Sequence, residues 1–491
     1  MRDLPRALSA EGWKARVATP SYGVLHKLAG SDRIAVLPVP FRDATLDVEV
    51  WRINDDAGIE HIVLHHALFG AQGPGRIYFG EDGDRPFATD ANKFALFCIA
   101  AACWIRSLDR APDVVHLHDW HAALYLPVTR YMDDFESLRS IRTVFTIHNL
   151  AYQGTRPLGR DESSLEAWFP NMIADNSQIA DPEHTHCINP MAAAIRLADR
   201  VSTVSPTYAG EICRPSDPDT GFVGGEGLES LLQSARDDGR LSGVLNGCVY
   251  DGSRGRRPGW QRILDMLEAQ LHDWHRAEPG NAAHKLALER VAAMPRRRPR
   301  HLVTSIGRLV AQKATLLLHE DAAGKSAIQR IADDLGRNGV IILLGSGDAT
   351  FEARMLDIAH KLPNLVFICG YSEVLADPLY HAGDLFLMPS SFEPCGISQM
   401  LAMRHGQPCV AHDIGGLSDT ISHEATGFLF SGATPDSQAD AFVKTTLDAL
   451  ALRVDDPLRW QDIRNAAGAQ RFDWALSARQ TTAALYLDDD E

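Results

Sequence analysis

At 491 residues the chain is too long for one hydrophobic core, so two or three domains are expected. With 45% hydrophobic and 23% charged residues it is neither disordered nor fibrous in type, and a formal net charge of −16 disfavours a nucleic-acid binder and suits a soluble enzyme. Its eight cysteines are scattered without a C-x-x-C pair, which fits free thiols in a reducing cytosol. No signal peptide is recognisable and no apolar run approaches the ~20 residues of a membrane span, so a soluble, cytoplasmic chain with no membrane partner is expected.

Residues 3–13 pattern as an amphipathic helix with Leu4, Leu8 and Trp13 on one side. Strands are expected at 15–18, 34–39, 46–53 and 62–65. The third alternates Leu46, Val48 and Val50 against Asp47, Glu49 and Trp51, as a half-exposed strand does. Residues 90–108 read as a nearly apolar helix fit to pack on a sheet. Strand and helix then alternate: strand 113–118, helix 121–131, strand 142–148, helix 190–197, strand 200–204, a helix opened by Pro206, strand 241–245. Such alternation implies a parallel sheet covered on both faces.

Residues 248–300 change character. Gly252, Gly255, Pro258 and Gly259 mark a loop, 262–294 is helical with a break near Pro279 and Gly280, and the arginines at 296–298 and 300 read as a solvated run. From His301 a second α/β unit is expected, with strands 301–306, 340–344, 365–369, 384–388 and 408–411. Helices 436–452, 457–469 and 474–487 follow, with a frayed acidic tail at 488–491. The plan is therefore an α/β domain at 1–247, a connector at 248–300, a second at 301–470, and a C-terminal helix and tail at 471–491. The fold class is α/β, with two doubly wound, Rossmann-like domains facing a cleft.

Several stretches carry chemistry. Residues 384–419 read as strand, polar elbow with Glu393, and a helix from about Gly396, then a short strand and a turn at Gly415 and Gly416. Amides at such a helix start favour an anionic group such as a diphosphate. Glu393 is either a solvated loop carboxylate or a contact to sugar hydroxyls and developing positive charge. His116-Leu117-His118-Asp119-Trp120-His121 invites a metal reading, but its aspartate is one place off the dinuclear-hydrolase spacing H-x-H-x-D-H. Asp119 instead suits a helix N-cap or a ligand to hydroxyls. His148, ending an apolar strand, is either a satisfied core histidine or a site residue. Arg308 and Lys313, five apart after a strand, are either surface charges or the two cations that a departing diphosphate requires.

Taken together these blocks resemble the bacterial glycogen synthase and plant starch synthase family. The strings are S-F-E-P-C-G-I-S-Q-M at 391–400, G-G-L-S-D at 415–419, H-L-H-D-W-H at 116–121, T-I-H-N-L-A-Y-Q-G at 146–154, R-L-V-A-Q-K at 308–313, L-G-S-G-D at 344–348 and G-Y at 370–371. L-N-G at 245–247 and E-G-L at 226–228 also match. The resemblance implies the GT-B fold and retaining transfer of glucose from ADP-glucose to the non-reducing end of an α-1,4-glucan such as glycogen. Domain closure would exclude water from the reaction. By the same resemblance the catalytic set is Glu393, His148, Asp119, Arg308 and Lys313. Substrate contacts fall to Asn149, Asn246, Gly345, Gly370, Tyr371, Cys395, Gly396 and Ser398. No cofactor, metal or nucleic acid is implied.

The chain departs from the family pattern in three places. Ala314 stands where the family carries glycine, which would strain the chain if that position requires a positive φ. After Leu245-Asn246-Gly247, Asp251 comes two places late. The family's first strand and its K-x-G-G-L loop have no counterpart before residue 3, so a start roughly 25–30 residues upstream of Met1 is expected. The rival readings are a truncated, catalytically silent glucan-binding homologue and a metal hydrolase built on His116–His121.

Overall fold

A computed structural model describes residues 3–55, 58–71, 73–79, 88–250 and 256–487. The expectations that touch Met1, Asp251, Gly252, Gly255 and the tail at 488–491 lie outside the described residues. The chain divides into two compact units. One comprises 1–216, 224–247 and 474–491, the other 217–223 and 248–473.

The first unit carries two four-stranded sheets. Strands β1 (Arg16–Pro20), β2 (Asp32–Phe41), β3 (Ala44–Asn54) and β4 (Glu60–His65) run in the order β1-β4-β3-β2. Strands β5 (Val114–His118), β6 (Arg142–Ile147), β9 (Arg200–Thr203) and β10 (Leu241–Gly243) run β10-β9-β6-β5, all parallel. Between them in sequence, β7 (Arg156–Pro157) and β8 (Cys187–Ile188) form a short ribbon. The parallel sheet expected from the strand and helix alternation after residue 113 is the second sheet. In the first, β2 and β3 are joined by two residues, Arg42 and Asp43, and a turn that short reverses direction, with Arg42 at φ +60. Strand β3 alternates as anticipated, with Val48 and Val50 fully buried.

Helix Ala88–Arg106 packs against the first sheet and neighbouring helices. It is long and apolar enough to cross a bilayer, yet 83% of its most apolar window is buried in the unit, as for a core helix.

The second unit is a single parallel sheet. Its strands β11 (His301–Ile306), β12 (Gly339–Gly345), β13 (Leu365–Cys369), β14 (Leu385–Met388), β15 (Cys409–His412) and β16 (Phe428–Phe430) run β13-β12-β11-β14-β15-β16. Every residue of β12 is buried, the mark of a strand covered on both faces. The order reverses between β11 and β14, and a crevice at the carboxyl ends of strands opens at such a switch point. Helices Trp260–Ala277 and Ala282–Ala293, from the stretch read as a connector, lay Trp260, Ile263, Leu267 and Leu271 on Leu302, Ile342, Val366 and Ile368.

Of the arginine run, Arg296, Arg297 and Arg300 are exposed as expected, but Arg298 is half-buried and paired. Arg298 reaches the buried Asp384 at 3.0 Å, joined by Arg257 at 2.9 Å and Arg453 at 3.3 Å. The other carboxylate oxygen accepts from the Leu302 amide at 2.9 Å. Burial by itself would raise the Asp384 pKa, but the three guanidiniums outweigh it and hold the carboxyl below its usual range.

Candidate active site

In the first unit the residues that the sequence singled out, Asp119 and His148, stand at the carboxyl ends of β5 and β6. Asp119 opens helix Asp119–Ala123 in a left-handed conformation, φ +55, with His118 at the N-cap. It is therefore not the N-cap that its sequence position suggested. Its Oδ1 accepts instead from the backbone amides of His148 at 2.7 Å and Asn149 at 3.4 Å, tying the loop after β6 to the end of β5. Asn149 turns its own side chain back to accept from the Ala151 amide at 3.0 Å.

The imidazole of His148 meets that of His118, Nε2 to Nδ1, at 3.1 Å. Burial pushes the His148 pKa down, against the opposing pull of Asp119. His118 is driven well below its ordinary value by burial and by the neighbouring imidazoles of His116 and His148. These rings are neutral at physiological pH. His116, His118, His148, Thr146 and Asn246 line one small cavity with Trp474, Ser477 and Thr481. Among the described residues no cluster of histidine, cysteine, aspartate or glutamate has the arrangement of a metal site.

In the second unit the charged residues gather at the switch point. Arg308 follows β11, is exposed, and makes no hydrogen bond or ion pair among the described residues. Lys313 lies on the short helix Ala311–Ala314 and forms an ion pair with Glu393, whose Oε2 also accepts from the Ser390 hydroxyl at 3.0 Å. Glu393 is buried, 6% exposed. Its loop is pinned by backbone bonds, Ser391 N to Gln312 O at 2.8 Å and Gly416 N to Glu393 O at 3.0 Å. Residues 305–309, Lys313 and 387–390 line a cavity here of about 30 Å³.

Ala314 is buried in ordinary helical geometry, outside the left-handed residues of the described chain, so the strain considered from sequence is absent. The helix after Glu393 runs Ser398–Arg404, starting two residues later than expected. The reason is Gly396, at φ +74, where an added Cβ would stand 2.6 Å from Gln399 Oε1. Cys395 is buried, and Ser398 opens the helix.

The remaining predicted contacts divide. Gly345 supports the arginine loop by close approach, since a Cβ there would stand 2.1 Å from Gly307 O. Gly370 packs on the Trp274 ring, and Tyr371 is 72% exposed with its hydroxyl 3.2 Å from Glu373. Sequence reasoning did not single out His118, Thr146, Ser390 or Tyr486 individually. The first two lay inside quoted strings, and their partners are fixed only by strand pairing across β5 and β6.

Set against known proteins, the geometry has close counterparts. The starch synthase catalytic domain model matches residues 1–234 and that of group 1 glycosyl transferases matches 300–448. The glycogen synthase of Thioalkalivibrio sulfidiphilus is 34% identical, covering 99% of this chain and 93% of that protein. That of Streptococcus equi subsp. equi is 32% identical over 99% of this chain and 94% of its own length. Among solved structures, the catalytic domain of starch synthase IV from Arabidopsis thaliana, bound to ADP and acarbose, superimposes with TM-score 0.73. It is 26% identical, with 98% of this chain and 93% of that one covered. The sucrose-phosphate synthase of Thermosynechococcus elongatus, 16% identical with TM-score 0.53, shares the fold, with 98% and 90% covered. These likenesses and the switch-point site define a GT-B glycosyltransferase. Within that class the chain belongs to the glycogen synthase and starch synthase family.

Proposed function

We propose that the chain transfers glucose from ADP-glucose to the non-reducing end of an α-1,4-glucan such as glycogen, retaining the anomeric configuration. The observation that carries this reading is the convergence of Arg308, Lys313 and Glu393 at the switch point of the second unit. When the glycosidic bond of a nucleotide sugar breaks, negative charge grows on the diphosphate, and fixed cations stabilise it. Arg308 is free to take it, and Lys313 can exchange Glu393 for phosphate oxygen. Glu393 then orients the sugar through its hydroxyls. The family resemblance favours departure and attack on one face of the sugar over a covalent intermediate.

The amides near Cys395 and Gly396, with Ser398 at the helix start, assist at the phosphates, and Gly345 and Gly370 shape the nucleotide side beside Tyr371. In the first unit Asp119 holds the His148 amide with one oxygen and offers the other to a hydroxyl, while Asn149 and Asn246 add polar contacts. The donor nucleotide is taken as ADP because the Arabidopsis relative is bound to ADP. The test is glucose incorporation into glycogen from ADP-glucose and UDP-glucose. Preference for ADP-glucose is expected; incorporation from neither donor overturns the reading.

A further inference from the structure

The C-terminal segment ends against the histidines of the first unit. Helix Trp474–Thr481 passes directly into a π-helical turn, Thr482–Tyr486, a rare geometry that recurs at functional sites. The segment is anchored by Arg142, whose Nε donates to Leu485 O at 2.9 Å and whose second nitrogen donates to Leu487 O at 3.0 Å. The Trp13 indole donates to Thr482 Oγ1 at 3.0 Å. So placed, the Tyr486 hydroxyl lies 2.7 Å from His116 Nδ1. The opposite nitrogen of that ring lies 2.6 Å from Thr146 Oγ1. His116 stacks on His118 with ring centres 4.2 Å apart, and His118 meets His148 at 3.1 Å.

We infer that Tyr486 is a positioning residue for the transfer reaction: its hydroxyl locks the His116 ring, against which His118 stacks to seat the imidazole of His148. The inference rests on the reading above that His148 lines the reaction centre. Burial keeps the Tyr486 phenol protonated, so its O–H is available to donate to His116 Nδ1, the direction the inference assigns to it. His116 is itself held neutral, its pKa pushed down to about 3 by burial. With Tyr486 donating, its single proton sits on Nε2 and is donated to Thr146 Oγ1. With both nitrogens committed the ring cannot flip, and His118 stacks on a fixed plane. The titratable groups around His116 are His118, His148 and Tyr486, with the Asp119 carboxylate acting on His148. Phenylalanine at 486 would keep the shape and remove the donor, freeing His116 Nδ1 to take a proton at higher pH.

The experiment compares Tyr486→Phe, Trp13→Phe and His116→Gln in the full chain. Tyr486→Phe should lower kcat roughly tenfold, short of the hundredfold that a misplacement of about 1 Å can cost. The KM for ADP-glucose should stay within about twofold, and the acid limb of the kcat profile should move to higher pH. Trp13 meets the Tyr486 ring edge-on at 5.1 Å, so Trp13→Phe removes the Thr482 hydrogen bond while keeping an aromatic ring there, and should leave the limb in place. The double variant Tyr486→Phe/His116→Gln should be no slower than His116→Gln alone. Unchanged kcat in Tyr486→Phe, an equal shift in Trp13→Phe, or additive losses would each overturn the proposal.

A readout independent of activity is the side-chain 15N spectrum of the unmodified protein labelled at histidine, with His116 assigned by its loss in His116→Gln. An Nε2–H tautomer supports the inference and Nδ1–H overturns it. Should the unmodified protein transfer no glucose, the reading of the site fails while this spectrum still decides the role of Tyr486.

Discussion

Replacing Glu393 by glutamine removes one charge and keeps the volume and the Ser390 hydrogen bond. The loss leaves the ammonium of Lys313 facing a neutral amide. For a fully buried pair, removing one partner costs about 3–5 kcal/mol. Glu393 is nearly that buried, but the Lys313 side chain is 21% exposed on a flexible stem and can reach water. A destabilisation of about 1–2 kcal/mol is therefore expected. The effect on transfer should be larger: at least a ~100-fold fall in kcat/KM, about 2.7 kcal/mol of barrier. Lys313→Met should lose a similar factor, because a cation facing the diphosphate is gone. The double variant separates the two roles. With neither charge present it should recover much of the stability, since a neutral pair leaves no uncompensated ion, yet gain no activity. Denaturant unfolding and glucose incorporation into glycogen read the two effects separately. A folded Glu393→Gln with near-normal turnover, or a double variant with restored turnover, would refute the reasoning.

Other outcomes follow from single contacts. Asp119→Ala removes the acceptor of two loop amides and puts alanine at φ +55, so a loss of about 2–4 kcal/mol in urea unfolding is expected, with activity abolished. Asp119→Asn, which keeps an acceptor and tolerates that conformation, should recover most of the stability. Asp384→Asn should cost about 3–5 kcal/mol, because three guanidiniums lose their common anion. The Asp384 carboxyl is depressed in the folded state, so its stabilisation is present above its unfolded value near pH 4 and lost on further acidification. The buried histidines act in a higher window. His116 titrates from its ordinary 6.5 down to about 3 when folded, so stability is fully present above pH 6.5 and falls by about 1.4 kcal/mol per pH unit between these values. His116→Gln should flatten the slope between pH 6.5 and 5; an unchanged slope counts against a buried neutral imidazole.

Much of the fold was legible because it is written at short range. The unbroken apolar run of β12, the alternation of β3 and the proline-opened helix Pro190–Leu197 each follow from the period of the residues themselves. Departures came where a partner distant in sequence intervened. Arg298 belongs to Asp384, a residue 86 positions away, and so is no part of a solvated run.

The candidate site shows the same division. Residue types left Arg308, Lys313, Glu393, Asp119 and His148 each with a bland and a chemical reading, and it was the family resemblance of the surrounding strings that marked them as a site. What each does locally was not readable. Asp119 looked like a helix cap, and only the pairing of β5 with β6 brings its carboxylate under the His148 amide. Lys313 and Glu393, 80 residues apart, meet because the strand order reverses between β11 and β14. Tyr486, 370 residues from His116, carries no local signal at all. Periodicity and motif spacing are properties of neighbours along the chain and determine class, elements and chemical kind. Which charge answers which, and which ring holds which, depends on strand order and burial, and those exist only once the sheets have formed.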